Sequence, residues 1–138
     1  MPIESGAEIA DLLRSTTVIA MVGASDRPER ASHGVMRFLQ QKGYRVIPVN
    51  PQLEGQKIHG ETVLGSLGDV DGPIDMVDIF RNTAAAAGVI DEAVAVGAKS
   101  VWTQLGVLPF EAAGRAEKAG LKVVLDRCPK IEMPRLGL

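Results

Sequence analysis

The segment most suggestive of ligand binding is a glycine turn made of Gly23, Ala24 and Ser25. It comes directly after the apolar run Thr17–Val22. A buried parallel strand reads as a continuous apolar run of this kind. The turn presents free backbone N–H groups beside the N-terminus of the next helix, and that arrangement favours a phosphate group. The sequence therefore predicts a nucleotide-binding unit over residues 17–50.

Two arginines, Arg27 and Arg30, lie between this turn and the helix predicted over His33–Lys42. Cations beside a helix N-terminus favour a ligand with more phosphate than a diphosphate bridge carries. The alternative interpretation is that both arginines are solvated loop residues, and spacing alone does not separate the two. His33 opens the helix, where it could donate to a phosphate or serve as a capping or surface residue.

The glycine turn departs from the dinucleotide fingerprint, which has the form G-x-G-x-x-G and an acidic residue after the second strand. Here the next glycine is Gly34, and Asn50 and Pro51 stand where the acid is expected. These departures count against NAD, whereas the loop arginines would still permit NADP. An NAD(P)-binding oxidoreductase or redox sensor is therefore the alternative function.

Strands and helices alternate along the chain, which predicts βαβ units. The expected fold is a Rossmann-like three-layer α/β/α sandwich with a mainly parallel sheet, as one α/β domain over residues 1–138. Strands are predicted over 17–22, 45–49, 75–80, 100–104 and 122–125, and helices over 7–13, 33–42, 83–96 and 109–119. A short strand near 57–59 and a helical turn near 66–70 are also expected. Ligands on such sheets bind outside the carboxyl ends of the strands, so the site is predicted there.

Composition narrows the function classes. The chain has 138 residues, 46% of them hydrophobic, and a net charge of −2, so nucleic acid is not an expected partner. Its N-terminus is too polar for a signal peptide, and no apolar run is long enough to cross a membrane. Cys128 is the single cysteine, which suits a reducing cytoplasm. The histidines and the cysteine are too widely separated to suggest a metal site.

Several other polar residues could take part in chemistry. Ser25 has no histidine at a triad spacing, so we expect it to contact phosphate or to begin the helix. Gln104 follows Trp102, which is expected in the core, and could orient an amide or a ribose hydroxyl. Asp75 and Asp78 are three apart on a strand and point to opposite faces, so they are not expected to form an acid–base pair.

Five segments in this order and at these spacings resemble the small single-domain CoA-binding proteins. Their domain is similar to the N-terminal CoA-binding domain of the succinyl-CoA synthetase alpha subunit. The segments are Val22–Ser25, Gly43–Pro51, Val77–Arg81, Ala98–Gly106 and Asp126–Glu132, within residues 15–133.

The resemblance implies that coenzyme A or an acyl-CoA lies across the carboxyl ends of the strands. By this analogy the chain is a non-catalytic carrier, sensor or regulatory module. The synthetase's phosphorylated histidine and second catalytic domain lie beyond its CoA domain, and we expect this chain to lack them. A stand-alone acyl-CoA enzyme is a further possibility, with His33 as its best candidate base.

The resemblance also implies which residues bind the ligand. Gly23, Ala24 and Ser25 would contact the phosphates, with Arg27, Arg30 and His33 beside them, and Arg45 would lie near the nucleotide end. Asn50 and Pro51 would border the adenosine, Phe80, Arg81, Asn82 and Ala84 would line the pantetheine arm, and Gln104 and Gly106 complete the predicted site.

The C-terminal segment carries three weaker expectations. Arg127 and Lys130 lie near Cys128 and would raise the reactivity of its thiol, so a mixed disulfide with the CoA thiol is a hypothesis beside the plainer view of a small buried residue. Asp126 is expected to pair with Arg127 and order the tail. The apolar stretch Ile131–Leu138 could pack on a second copy or on another protein.

Overall fold

The computed structural model describes residues 1–138 and shows an alternation of helices and strands. The helices are α1 (Gly6–Ser15), α2 (Ala31–Gln41), α3 (Thr83–Ala95), α4 (Phe110–Lys118) and α5 (Pro129–Arg135). The strands are β1 (Val18–Val22), β2 (Arg45–Val49), β3 (Lys57–Ile58), β4 (Glu61–Thr62), β5 (Met76–Ile79), β6 (Ser100–Thr103) and β7 (Lys122–Val124). Short 3-10 turns cover Pro51–Leu53 and Leu67–Asp69.

The main sheet has five strands in the order β2-β1-β5-β6-β7, and every neighbouring pair is parallel. From β1 the chain moves outward to β2, then crosses back to place β5 on the other side of β1. Strand order therefore reverses between β1 and β5, and ligands of open α/β sheets bind at such a switch point. The predicted parallel sheet is confirmed.

Helices cover both faces of the sheet, which confirms the predicted three layers. One core layer joins the sheet to α1, α2 and α5, and the other joins it to α3 and α4. Trp102 of β6 is fully buried, as expected, and its Nε1 donates to the Arg127 carbonyl oxygen at 2.7 Å. Because both faces are covered, the strand bodies are mostly apolar and most polar residues lie at the strand ends, with the buried Asp78 of β5 as an exception.

Two helix ends are formed by residue types that are typical of those positions. The Ser5 hydroxyl accepts from the Glu8 backbone N–H at 3.2 Å and caps α1. Gly120 lies directly after Ala119, the C-cap residue of α4, and has a φ of +95°, which is typical of a glycine at this position. None of the helices combines the length and apolarity needed to cross a bilayer.

The C-terminal tail contains a helix that is not among those predicted from the sequence. It forms α5, which the sequence did not indicate because the helix is short and contains Pro134. Met133 is buried and Leu138 packs against the core, so much of the apolar tail surface is used within the chain, although Ile131 is 47% exposed.

The expected ion pair between Asp126 and Arg127 is wrong. Asp126 has φ of +60°, and its Oδ1 instead accepts from the Gly106 backbone N–H at 2.6 Å. Arg127 pairs with Glu132 at 3.2 Å and also donates to the Glu4 carbonyl oxygen. Arg127 therefore orders the tail through its contacts with Glu132 and Glu4, not through Asp126.

Candidate functional site

A cleft of about 920 Å³ lies at the carboxyl edge of the sheet, over the switch point between β1 and β5. This volume is at the upper end of the usual range for small-molecule sites, about 300–1,000 Å³. The cleft brings together most of the predicted binding residues: Gly23, Ala24, Ser25, Arg27, Arg30, Asn50, Pro51, Phe80, Arg81 and Gln104. Residues that the sequence did not single out also line it, among them Asp26, Ser32, Gln52 and Val107.

Gly23 forms the floor of the cleft where three strands end. Its N–H donates to the Val49 carbonyl oxygen at 3.0 Å, which ties the end of β1 to β2. Its φ is +87°, and a Cβ at this position would lie 2.3 Å from the Phe80 carbonyl oxygen, just beyond β5. Glycine is therefore required on two counts: the backbone conformation and the close approach of the neighbouring strand.

Several backbone N–H groups on the cleft donate no hydrogen bond within the protein. They include those of Ala24 and Ser25 in the turn and those of Ala31 and Ser32 in the first turn of α2. The N-cap residue of α2 is Arg30, whose side chain makes no capping hydrogen bond. The helix N-terminus thus keeps its donors and its positive dipole end free for an anionic ligand.

Three arginines on the cleft, Arg27, Arg30 and Arg81, make no ion pair with an acidic residue. The only acidic residue that lines the cleft is Asp26. The positive charge is therefore not neutralised by the protein, and guanidinium groups bind phosphate with two parallel hydrogen bonds.

Asn50 joins two loops at the edge of the cleft. Its Nδ2 donates to the Ala24 carbonyl oxygen at 2.9 Å, and its Oδ1 accepts from the Gln52 backbone N–H at 2.9 Å. A carboxylate could make only the second of these bonds. The neutral amide at this position is therefore a structural requirement of the turn as well as a departure from the dinucleotide fingerprint.

Two predicted binding residues lie away from the cleft. Arg45 opens β2 at the amino edge of the sheet, paired with Val18, whereas the cleft lies at the carboxyl edge. The length of a five-residue strand, about 16 Å, separates the two edges. His33 packs on His59, with ring centroids 4.1 Å apart, and the His33 carbonyl oxygen lies 2.9 Å from His59 Nε2. This contact fixes the β3–β4 hairpin to α2.

Asn82, Ala84 and Gly106 are near strand ends but do not line the cleft. Asn82 caps α3 through a hydrogen bond from the Ala85 N–H at 2.9 Å, and Ala84 is exposed in the first turn of that helix. The Gly106 N–H is bound by Asp126. These three residues shape the loops beside the site.

Asp78 is a polar residue beneath the cleft that the sequence analysis did not select. It lies on β5, fully buried, and its Oδ1 accepts from Gln104 Nε2 at 2.7 Å. Its Oδ2 is buried without a partner. Burial raises the pKa of this carboxyl to about 7, although the Gln104 hydrogen bond opposes the shift. The available signal was a single carboxylate inside the apolar strand Met76–Ile79.

Asp75 behaves in the opposite way at the other edge of the sheet. It accepts from the backbone N–H groups of Thr17 and Val18, each at 2.9 Å, and pairs with Lys99 at 3.2 Å. Burial acts to raise its pKa, but these donors and the Lys99 charge outweigh it and lower the pKa. As the sequence predicted, Asp75 and Asp78 do not form a pair.

A second groove of about 580 Å³ lies near Asp75, at the amino edge of the sheet. Its Asp75 and Lys99 side chains are already bound to each other. The carboxyl-edge cleft is the stronger candidate because its donors and cations are unpaired. Cys128 is free and half-buried, and it does not line either cavity.

Comparisons with known proteins agree with the geometry. The family described as CoA binding domain matches residues 17–134. YneT, an uncharacterized protein of Bacillus subtilis, is 39% identical over 127 residues, which cover 92% of this chain and 93% of YneT. A Thermus thermophilus structure described as cell-free ID.343 is 37% identical, with a TM-score of 0.91 over 96% of this chain and 99% of its own.

A larger protein shares the same fold. The dinucleotide-forming acetyl-coenzyme A synthetase 1 of Ca. Korarchaeum cryptofilum, in its apo form, is 27% identical with a TM-score of 0.68. The match covers 82% of this chain and 27% of the synthetase. The resemblance seen in the sequence motifs is thereby confirmed. Because the family match covers most of the chain and YneT aligns along nearly its whole length, this chain belongs to the CoA-binding domain family.

Proposed function

We propose that this protein binds coenzyme A or an acyl-CoA in the carboxyl-edge cleft and acts as a non-catalytic carrier, sensor or regulatory module. One observation carries the proposal: unpaired backbone N–H groups of the glycine turn and of the start of α2 share a single cleft with three arginines that make no ion pair. Coenzyme A matches this set because it carries a diphosphate bridge and a separate 3′-phosphate. Membership of the CoA-binding domain family supports the same ligand.

The cleft suggests how such a ligand would lie. The diphosphate would meet the Gly23 turn and the start of α2, where the backbone donors are free. Arg27 and Arg30 would reach the 3′-phosphate, and Asn50 with its loop would border the adenosine. The pantetheine arm would then pass Phe80 toward the end of β6.

A non-catalytic role is supported by the side chains of the cleft. No histidine, cysteine or lysine lines it. The Ser25 hydroxyl accepts from the Arg27 backbone N–H at 3.1 Å, and no general base lies in hydrogen-bond reach of it. The site is therefore equipped to hold a phosphorylated ligand rather than to activate a nucleophile. We also propose a cytoplasmic location, since the single free cysteine suits a reducing compartment.

NADP is the second candidate ligand, because Arg27 and Arg30 could also bind a 2′-phosphate. The neutral Asn50 favours this over NAD, whose ribose is usually held by an acid. A titration with NADP in parallel with coenzyme A decides between the two candidates.

Removing the two loop cations tests the assignment of the 3′-phosphate. The double change Arg27→Ala and Arg30→Ala should weaken coenzyme A binding about 10- to 100-fold, the range expected for charged hydrogen bonds. Dephospho-CoA, which lacks the 3′-phosphate, should bind the parent chain weakly. The double variant should reduce its affinity only a little further. Isothermal titration calorimetry measures both ligands.

Arg45→Ala is the control, since it removes one arginine charge at the opposite edge of the sheet. It should leave coenzyme A affinity within about twofold, a change of less than half a kcal/mol. Equal losses for Arg45→Ala and the double variant would contradict the placement of the ligand.

Asn50→Asp should weaken coenzyme A binding at least about tenfold. The carboxylate cannot donate to the Ala24 carbonyl oxygen, so the hydrogen bond at 2.9 Å is lost and the turn is freed. Gln52→Glu is the control, because it adds the same charge to the cleft at a residue that is held through its backbone N–H. If both variants lose affinity equally, charge alone is responsible and the Asn50 bridge is not needed.

A further inference from the structure

Gln104 and Asp78 form a polar pair that links the cleft to the buried sheet. Gln104 lines the cleft just past the end of β6, and Asp78 lies beneath it on the neighbouring strand β5. The two side chains meet at 2.7 Å, from Gln104 Nε2 to Asp78 Oδ1. Asp78 is fully buried, and its other oxygen has no partner. A buried carboxyl of this kind is costly to keep without a function.

The pair determines which atom Gln104 offers to a ligand. Asp78 Oδ1 accepts the hydrogen bond from Gln104 Nε2, and this bond holds the amide nitrogen of Gln104 toward the sheet. The amide oxygen, Oε1, then has no donor within the protein, and it is not among the buried unpartnered atoms. It is therefore an accessible hydrogen-bond acceptor in the cleft.

We propose that Asp78 is a positioning residue that turns the Gln104 amide, so that Gln104 Oε1 accepts a hydrogen bond from an amide N–H of the pantetheine arm. This inference rests on the proposed function, since it assumes that coenzyme A or an acyl-CoA occupies the cleft. It adds a means of recognising the arm, which carries no charge for the arginines to bind.

The strand order supports the pantetheine arm as the partner of Gln104. Neighbouring strands are about 4.8 Å apart, so the end of β6 lies about 10 Å from the phosphate turn after β1. Asn50, after β2, lies on the other side of that turn. A ligand with its diphosphate at Gly23 and its adenosine beside Asn50 extends its arm over Phe80 toward Gln104. The pantetheine arm contains amide N–H groups along this path.

The test compares two ligands by calorimetry. Coenzyme A has the arm, whereas adenosine 3′,5′-bisphosphate keeps the adenosine and the 3′-phosphate without it. Gln104→Met, which is close in shape but has no polar amide, should weaken coenzyme A about 5- to 20-fold. It should leave the bisphosphate within about twofold, because that ligand does not reach Gln104.

Asp78 variants separate positioning from a general effect on the fold. Asp78→Leu should reproduce the selective loss of Gln104→Met, and the double variant should be no weaker than either single one. Asp78→Asn keeps an acceptor for Gln104 Nε2 and should restore affinity to near that of the parent chain. Circular dichroism establishes that each variant is folded.

The outcomes are distinguishable. If the parent chain binds both ligands and Gln104→Met weakens neither or weakens both equally, the positioning role is overturned and the proposed function stands. If the two single losses add in the double variant, the pair does not act as a unit and the inference is also overturned. If the parent chain binds neither ligand, the proposed function and the inference fall together.

Discussion

Asp78→Asn is expected to make the protein more stable at pH 8 and to leave its stability near pH 4 almost unchanged. Asp78 is fully buried, and its pKa in the folded protein is raised to about 7. In the unfolded chain the same carboxyl has a pKa of about 3.9. The folded state therefore holds a proton between these values that the unfolded state has already released.

The sign of the pH dependence follows from this proton. Stability from the raised pKa is fully present below about pH 4 and is lost as the pH rises to about 7. The difference between the two pKa values corresponds to roughly 4 kcal/mol in the free energy of unfolding. Asparagine does not ionise, so the variant should escape this loss while keeping an acceptor for Gln104.

Urea unfolding at a series of pH values measures the effect as the difference between the variant and the parent chain. The difference should grow from near zero at pH 4 to its full value above pH 7. Asp75→Asn is a control of opposite sign, because the pKa of Asp75 is lowered by the Thr17 and Val18 N–H groups and by Lys99. That variant should lose stability at neutral pH and approach the parent as the pH falls. Parallel curves for Asp78→Asn and the parent would show that Asp78 does not titrate as described.

Gly23→Ala is expected to cost about 3 kcal/mol or more of unfolding free energy, one of the largest effects available from a single added methyl group. The left-handed backbone at φ of +87° already costs an alanine about 1–2 kcal/mol. In addition, the new Cβ would lie 2.3 Å from the Phe80 carbonyl oxygen, so the backbone of the β1 or β5 end must shift. That shift would also disturb the floor of the cleft, and ligand affinity should fall with stability.

Gly55→Ala is the matched control for the conformational part of this cost. Gly55 has nearly the same φ, +86°, but a Cβ there would meet nothing within 4 Å. It should lose only about 1–2 kcal/mol. Thermal and urea unfolding of both variants measure the difference. If both variants lose the same unfolding free energy, the structure accommodates the added Cβ beside Phe80 without cost, and the close approach of the strands is not a constraint.

The sequence predicted the sheet and its helices because each strand is an apolar run bounded by a turn signal. The glycine turn and Asn50 were identified for the same reason, since local residue types report local backbone geometry. Arg45 was assigned to the nucleotide end by family analogy, and the strand register places it at the opposite edge. The predicted strand over 45–49 already begins at Arg45, so the family analogy conflicted with the expectation that ligands bind at the carboxyl ends of the strands.

Asp78 shows a different kind of limit. Its role depends on Gln104, which is 26 residues away and becomes a neighbour only when β5 and β6 pair. The tail helix was also missed, because its residues pack against a core formed by other elements. In both cases the decisive interactions are tertiary, so the local sequence pattern could not predict the role of Asp78 or the tail helix.

The central claim is that the carboxyl-edge cleft binds coenzyme A through its phosphates. The most direct test is calorimetric titration of the parent chain with coenzyme A, with dephospho-CoA and NADP in parallel cells. The account predicts binding of coenzyme A, weaker binding of dephospho-CoA, and little binding of NADP. Binding of NADP without coenzyme A, or equal affinity for coenzyme A and dephospho-CoA, would contradict it.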